Sequence, residues 1–184
     1  DENLLVSSSE SVSSATPTLF HEYVHLLLHG DLAFPAWYHE GLAELLSTTS
    51  IREDLATLGG VPLGRKRALM RGPRVSVEEL LGTRHSFELG RRTPGFYAES
   101  WLLAHYLHLG PLYGAPERLE QARELLLLQN RGVSWRPAFE RAFSGTSVAQ
   151  LQTELDAHRR RIVEDADLPV NDFALSGIPE SFEE

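Results

Sequence analysis

The sequence predicts a mainly α-helical domain that belongs to the α+β class only through a minor strand element. Apolar residues recur at helical spacing in several segments, two capping-box patterns mark helix starts, and strand-like segments are few and short. The 184 residues are enough for one domain with a buried core. A composition of 42% hydrophobic and 23% charged residues is typical of a globular chain.

Two helices are predicted near the N-terminus. Residues 19–30 have apolar side chains at helical spacing, and the segment closes with a glycine, which commonly ends a helix. Thr16 or Thr18, at the end of a serine-rich segment that is typical of a loop, would be the N-cap. A second helix is predicted over residues 36–46, after a proline.

Five further helices are predicted in the rest of the chain. The patterns S-V-E-E and S-V-A-Q are capping boxes, which predict helix starts near Val77 and Val148. Apolar periodicity predicts the other three, over residues 95–109, 116–130 and 134–143.

Short sequence patterns predict the strands and the organisation of the chain into a core, C-terminal helices and a tail. Residues 3–8 are expected to form an edge strand, and residues 56–64 a small hairpin around a Gly-Gly turn. We expect residues 1–110 to form a core that carries the motifs below, and residues 111–164 to add C-terminal helices to the same domain. Residues 165–184 are acidic and contain two prolines, which is typical of an extended tail.

Charge and composition exclude several classes of function. The formal charge of −9 argues against a nucleic-acid partner, and no apolar run approaches the ~20 residues of a membrane span. The chain has no cysteine, so any zinc must be held by His, Asp or Glu. It begins at Asp1 without an initiator methionine or a signal-like segment, so we expect an upstream part and leave the compartment open.

The segment L-F-H-E-Y-V-H contains the pattern H-E-x-x-H, formed by His21, Glu22 and His25. On a helix, residues four apart project from one face in neighbouring turns, so the two imidazoles can converge on one zinc ion. Glu22 lies ~100° around the helix from His21 and can act as a general base toward water at the metal. His29 continues the series, but ~12 Å of rise separates it from His21, so a structural role is predicted for it.

A catalytic zinc usually has three protein ligands, and residues 37–44 offer the third. Glu40 and Glu44 lie on one face of the second predicted helix. Gly41 costs about 1 kcal/mol relative to alanine inside a helix, which suggests that the two helices, or a substrate, approach closely there. The alternative is a solvated acidic face, which is common on helices.

H-E-x-x-H followed by W-x-x-E-G-x-A-E resembles the gluzincin metallopeptidases, the group that contains thermolysin and the aminopeptidase N family. The resemblance implies a helical zinc-peptidase fold, Glu40 as the third zinc ligand and Glu44 as the partner that orients the first histidine. The best-known members have a longer connection, equal to the 18 residues that separate His25 from Glu44 here, whereas 14 residues separate His25 from Glu40. The spacing from His25 therefore favours Glu44 as the third ligand, whereas the E-G-x-A-E motif favours Glu40. The shorter connection resembles that of compact peptidase MA-like domains.

A second similarity lies at residues 96–107, F-Y-A-E-S-W-L-L-A-H-Y-L. It resembles the aminopeptidase N helix in which a tyrosine donates to the oxyanion, and Tyr97 and Ser100 stand at the matching positions. The alternative is a core tyrosine with a satisfied hydroxyl. A G-x-M-E-N-like segment, which holds a free amino terminus in those aminopeptidases, is absent from the sequence, and this disfavours an exopeptidase. Structural or surface roles are predicted for His85, His105, His108 and His158.

The resemblance implies zinc-dependent hydrolysis of peptide bonds in a peptide or protein substrate, by an endopeptidase with one zinc ion per chain. Glu22 would be the general base, and the substrate would lie along the strand at residues 3–8. The alternative function is a non-catalytic interaction module, with or without zinc, that retains the peptidase fold. The basic run over residues 65–74 would then dock an acidic partner.

Overall fold

The computed structural model describes residues 12–28, 34–165 and 168–174. Within these ranges the chain is mainly helical and has one small sheet, which confirms the predicted class at that level. The helices are α1 (Val12–Leu28), α2 (Ala36–Ser47), α3 (Leu63–Arg71), α4 (Val77–Gly82), α5 (Thr93–Leu109), α6 (Glu117–Asn130), α7 (Trp135–Ala142) and α8 (Val148–Glu164). The strands are β1 (Ser50–Arg52), β2 (Leu55–Leu58) and β3 (Asn171–Ala174). None of the described helices is long and apolar enough to cross a bilayer.

The core is built around α5, which is buried on nearly all sides. Helices α2, α3, α4, α6 and α8 pack against it. A helix that is apolar around its circumference must be enclosed, because each of its faces would otherwise expose apolar surface to water. The largest fully buried side chains of α5 are Phe96 and Trp101. The placement of α2 therefore depends on α5.

The predicted helices after residue 35 are confirmed, and their ends differ from the predicted ones by at most two residues. Both capping boxes are formed, since the backbone N–H groups of Glu79 and Gln150 donate to the hydroxyls of Ser76 and Ser147 at 3.2 and 3.1 Å. Helix α3 was not predicted, because its basic residues and glycine obscure the apolar periodicity.

The predicted start of the first helix is wrong. Helix α1 begins at Val12, so Thr16 and Thr18 lie within it and are not N-caps. Pro17 lies inside this helix and removes one of its backbone hydrogen bonds. The serine and threonine residues around it have helix propensities only ~0.5 kcal/mol less favourable than that of alanine, so they are compatible with a helix. The predicted end of this helix and the predicted strand at residues 3–8 lie outside the described residues.

The hairpin forms at a different place from the predicted one. Strands β1 and β2 pair antiparallel, and the connection between them is Glu53 and Asp54, with Glu53 in the left-handed region at φ 50°. Gly59, predicted in the turn, follows β2 and has φ 111°, a conformation that side chains rarely adopt. Strand β3 comes from the C-terminal tail and pairs antiparallel with β2, so part of the tail belongs to the sheet.

Gly41 marks a close contact between helices, but not between the pair that was expected. A Cβ atom at Gly41 would lie 2.4 Å from the backbone oxygen of Ser100 in α5. The prediction had placed the close approach beside the H-E-x-x-H helix or a substrate. Tight packing of α2 on α5 thus fixes the position of Glu40, the residue directly before Gly41 on α2.

A buried histidine pair links α5, α8 and the end of β2. His105 Nδ1 lies 3.0 Å from His158 Nε2, and His105 Nε2 lies 3.3 Å from the carbonyl oxygen of Gly59. The carbonyl can only accept, so His105 donates through Nε2 and accepts at Nδ1 from His158. Burial lowers the pKa of His105 to about 4 and that of His158 to about 3, so both rings are neutral near pH 7.

Candidate metal centre

Side chains from α1 and α2 form a three-residue cluster. His21 and His25 project from successive turns of α1 and face Glu40 on α2. The two Nε2 atoms are 3.0 Å apart, and Glu40 Oε2 lies 3.6 Å from that of His21 and 3.5 Å from that of His25. Among the described residues, these are the ones whose donor atoms converge as a metal site requires, all within 4.8 Å of one another.

The spacing of these atoms fits a small tetrahedral ion. Ligand atoms ~2.0–2.1 Å from zinc at tetrahedral angles lie ~3.3–3.4 Å from each other. The three observed distances bracket this value. Two imidazole nitrogens and a carboxylate oxygen are also a donor set that zinc accepts in catalytic sites. The residues present therefore fit zinc in both chemistry and spacing.

Interactions with the two histidines favour the ionised form of Glu40, the acidic residue of the cluster. Burial raises the pKa of Glu40, but hydrogen bonds and charge interactions with His21 and His25 outweigh burial and lower that pKa to about 2. The hydrogen bond with Glu40 raises the pKa of His25, against the effect of burial, and the charges of Glu22 and Glu44 raise it further. Anionic charge is thus concentrated where a cation would sit.

Glu44 lies beside the cluster and is bound by a different residue. Arg65 on α3 holds both of its carboxylate oxygens, with Arg65 Nε 2.8 Å from Oε2 and the second guanidinium nitrogen in contact with Oε1. Glu44 Oε1 lies 3.5 Å from His21 Nδ1, the ring nitrogen that faces away from the cluster. The geometry places Glu40 in the cluster and Glu44 behind His21.

Sequence reasoning did not identify Arg65. This residue lies in the basic run at 65–74 that was interpreted as a docking surface, and nothing in the sequence links it to Glu44, 21 residues earlier. A bidentate arginine fixes a carboxylate in position as well as in charge. The hydrogen bond with Glu44 raises the pKa of Arg65, which favours the charged form of the guanidinium.

The other predicted site residues that the structure describes lie on α1 and α5. Glu22 is exposed on α1, directly after His21. Tyr97 is partly buried near the start of α5, and the guanidinium carbon of Arg65 lies 5.2 Å from its ring centre. Ser100 is fully buried at the contact with Gly41, where it serves packing. His29 lies outside the described residues.

Open clefts lie beside each of the two turns of α1 that carry His21 and His25. A cleft of about 380 Å³ is lined by His25 and Glu40, and by a rim that includes His39 and Arg84. A cleft of about 470 Å³ is lined by His21 and Glu44. A third cleft, of about 440 Å³, shares Arg84 with the first and leads toward α7. The cluster is therefore reachable from solvent along an extended surface.

Comparison of this chain with protein-family models, with curated proteins and with solved structures gave no significant match. The site is therefore described from the residues of this chain alone.

Proposed function

We propose that this chain is a zinc-dependent peptidase of the gluzincin type, with the metal held by His21, His25 and Glu40. The observation that carries the proposal is the convergence of three suitable donor atoms, two of them from an H-E-x-x-H pattern, within 4.8 Å. When bound there, zinc would polarise a substrate carbonyl and make water more acidic.

The remaining residues have roles that follow from their positions. Glu22 is exposed and follows a ligand, so its carboxylate accepts the proton of the attacking water and passes it to the leaving amine. Glu44, held by Arg65, keeps His21 in the orientation that turns Nε2 toward the cluster. Tyr97 is proposed to donate its hydroxyl proton to the developing oxyanion.

The clefts support cleavage within a chain rather than at its end. Space is open beside His25 and Glu40 and also beside His21 and Glu44, so a peptide can extend past the cluster in both directions. An endopeptidase needs such access, because the scissile bond lies inside the substrate. Peptide or protein segments in an extended conformation are thus the proposed substrates.

The rival function is a metal-binding or metal-free interaction module. Its support is that Arg67 and Arg71 of the basic run stay exposed although Arg65 is engaged with Glu44. Such a surface could dock an acidic partner without any turnover.

Hydrolysis of a pool of unstructured peptides separates the two functions. The zinc-loaded wild type should cleave the pool, and Glu22→Gln should keep zinc but lose activity about 100-fold or more, because it removes a base and not a ligand. Glu120→Gln is the matched control, since Glu120 is 72% exposed on α6 and should leave turnover unchanged. Near-full activity of Glu22→Gln would contradict the mechanism, and an inactive wild type would favour the interaction module.

A further inference from the structure

The cleft beside His25 and Glu40 has aromatic walls. Phe34 and Phe87 line it, and the ring of Phe87 stacks on His85 with centres 5.1 Å apart and planes 5° from parallel. Phe87 is 74% exposed, which is high for a large apolar side chain. Aromatic faces exposed in a concave surface beside a candidate reaction centre are typical of a ligand subsite.

Arg84 places a positive charge in this cleft. It lines both this cleft and the one that continues toward α7, and it is exposed. Its backbone N–H donates to Glu88 at 3.3 Å, but within residues 12–28, 34–165 and 168–174 its guanidinium has no carboxylate partner. Many arginines of this chain are paired, as Arg65, Arg92 and Arg136 are. A guanidinium without an internal partner retains its donors for a ligand.

Among the described residues that line the cleft beside His21 and Glu44, none is a lysine or an arginine. The lining residues that can carry charge are His21 and Glu44, and the carboxylate of Glu44 is already bound by Arg65. Its other walls are proline, serine and threonine side chains. The two directions from the cluster therefore differ in charge, and an anionic group is favoured only on the side of His25.

We propose that the cleft beside His25 and Glu40 recognises a carboxylate of the substrate, which Arg84 binds between the aromatic side chains of Phe34 and Phe87. The inference rests on the proposed function, because it names the class of peptide that the same site prefers. The carboxylate has two sources, the side chain of an aspartate or glutamate near the scissile bond, and the free C-terminus of a peptide. Guanidinium and carboxylate form paired hydrogen bonds, so the amide analogue should be bound less well.

Cleavage mapping tests the proposal and separates the two sources. A pool of random decapeptides is made once with free and once with amidated C-termini, and the cleaved bonds are identified by mass spectrometry. The wild type should prefer peptides with a carboxylate on one fixed side of the cleaved bond by about tenfold, the size of a charge-assisted hydrogen bond. Arg84→Met should lose this preference and cleave peptides with and without that carboxylate at similar rates. Arg91→Met, which removes another exposed arginine from the segment that follows Arg84, should retain it.

A binding measurement keeps the test independent of turnover. The affinities of the zinc-loaded protein for 3-phenylpropanoate and for its amide are compared in the wild type and in both arginine variants. Only Arg84→Met should lose the preference for the acid, whereas a preference due to the metal would persist in it.

The results of these experiments distinguish the source of the carboxylate, the carboxylate subsite and the peptidase function. Loss of the preference when C-termini are amidated assigns the carboxylate to the terminus, and its persistence assigns it to acidic side chains. Turnover without any preference, or with a preference that survives Arg84→Met, would overturn the carboxylate subsite and leave the peptidase standing. Absence of turnover together with Arg84-dependent binding would overturn the peptidase and leave the subsite standing.

Discussion

Arg65 is the residue whose role the sequence did not indicate. The letters of H-E-x-x-H and E-G-x-A-E are local patterns, and helical geometry alone predicts which of them share a face. The contact of Arg65 with Glu44 joins α3 to α2, and no periodicity reports contacts between helices. The three residues of the cluster were therefore predictable, whereas the contact of Arg65 with Glu44 was not.

We expect Arg65→Met to weaken zinc binding by about 10–100-fold, the usual loss when a group that orients a ligand is removed. Without the guanidinium, the Glu44 carboxylate beside His21 is no longer held in place. Isothermal titration with zinc measures the affinity. Arg67→Met, an exposed arginine of the same helix, is the control and should bind zinc as the wild type does. Equal affinities of the two variants would show that Arg65 does not position the site.

At the scale of elements, α2 carries Glu40 and Glu44 and is fixed by its contact with α5. The helix itself was predicted from its apolar spacing, and Gly41 suggested a close approach. The element that approaches Gly41 was not predictable, because a glycine indicates that there is no room for a side chain but not which element occupies that space. The hairpin was misplaced for a related reason. Glu53 adopts the positive φ of its turn, whereas the sequence signal lay at the glycines after β2.

Gly41→Ala should lower the free energy of unfolding by about 1–3 kcal/mol or more, because its Cβ would meet the backbone of Ser100 and α2 would have to shift. Gly64→Ala in α3 is the matched control, since no atom lies within 4 Å of its added Cβ. That variant should be unchanged or up to ~1 kcal/mol more stable. Urea unfolding of the metal-free proteins measures both. Equal stability of the two variants would contradict the tight contact between α2 and α5.

At the scale of the whole molecule, the candidate site lies at the edge of the helical core. Helix α1 packs against α2, while Tyr23 and Leu27 on its outer side are 49% and 65% exposed. A metal held between α1 and α2 would join this peripheral helix to the part of the chain organised around α5. Length predicted one domain and apolar periodicity predicted that it is mainly helical, but neither carries information on which helix lies at the edge.

The central claim is that His21, His25 and Glu40 hold one zinc ion, and zinc competition against a calibrated chelator tests it most directly. The wild type should bind one zinc per chain. Glu40→Ala leaves two histidines and should release zinc under mild chelation, whereas Glu44→Ala should retain zinc with an affinity about 10–100-fold lower. The reverse order would transfer the ligand role to Glu44. A wild type that takes up less than about a tenth of an equivalent of zinc would contradict the metal site itself.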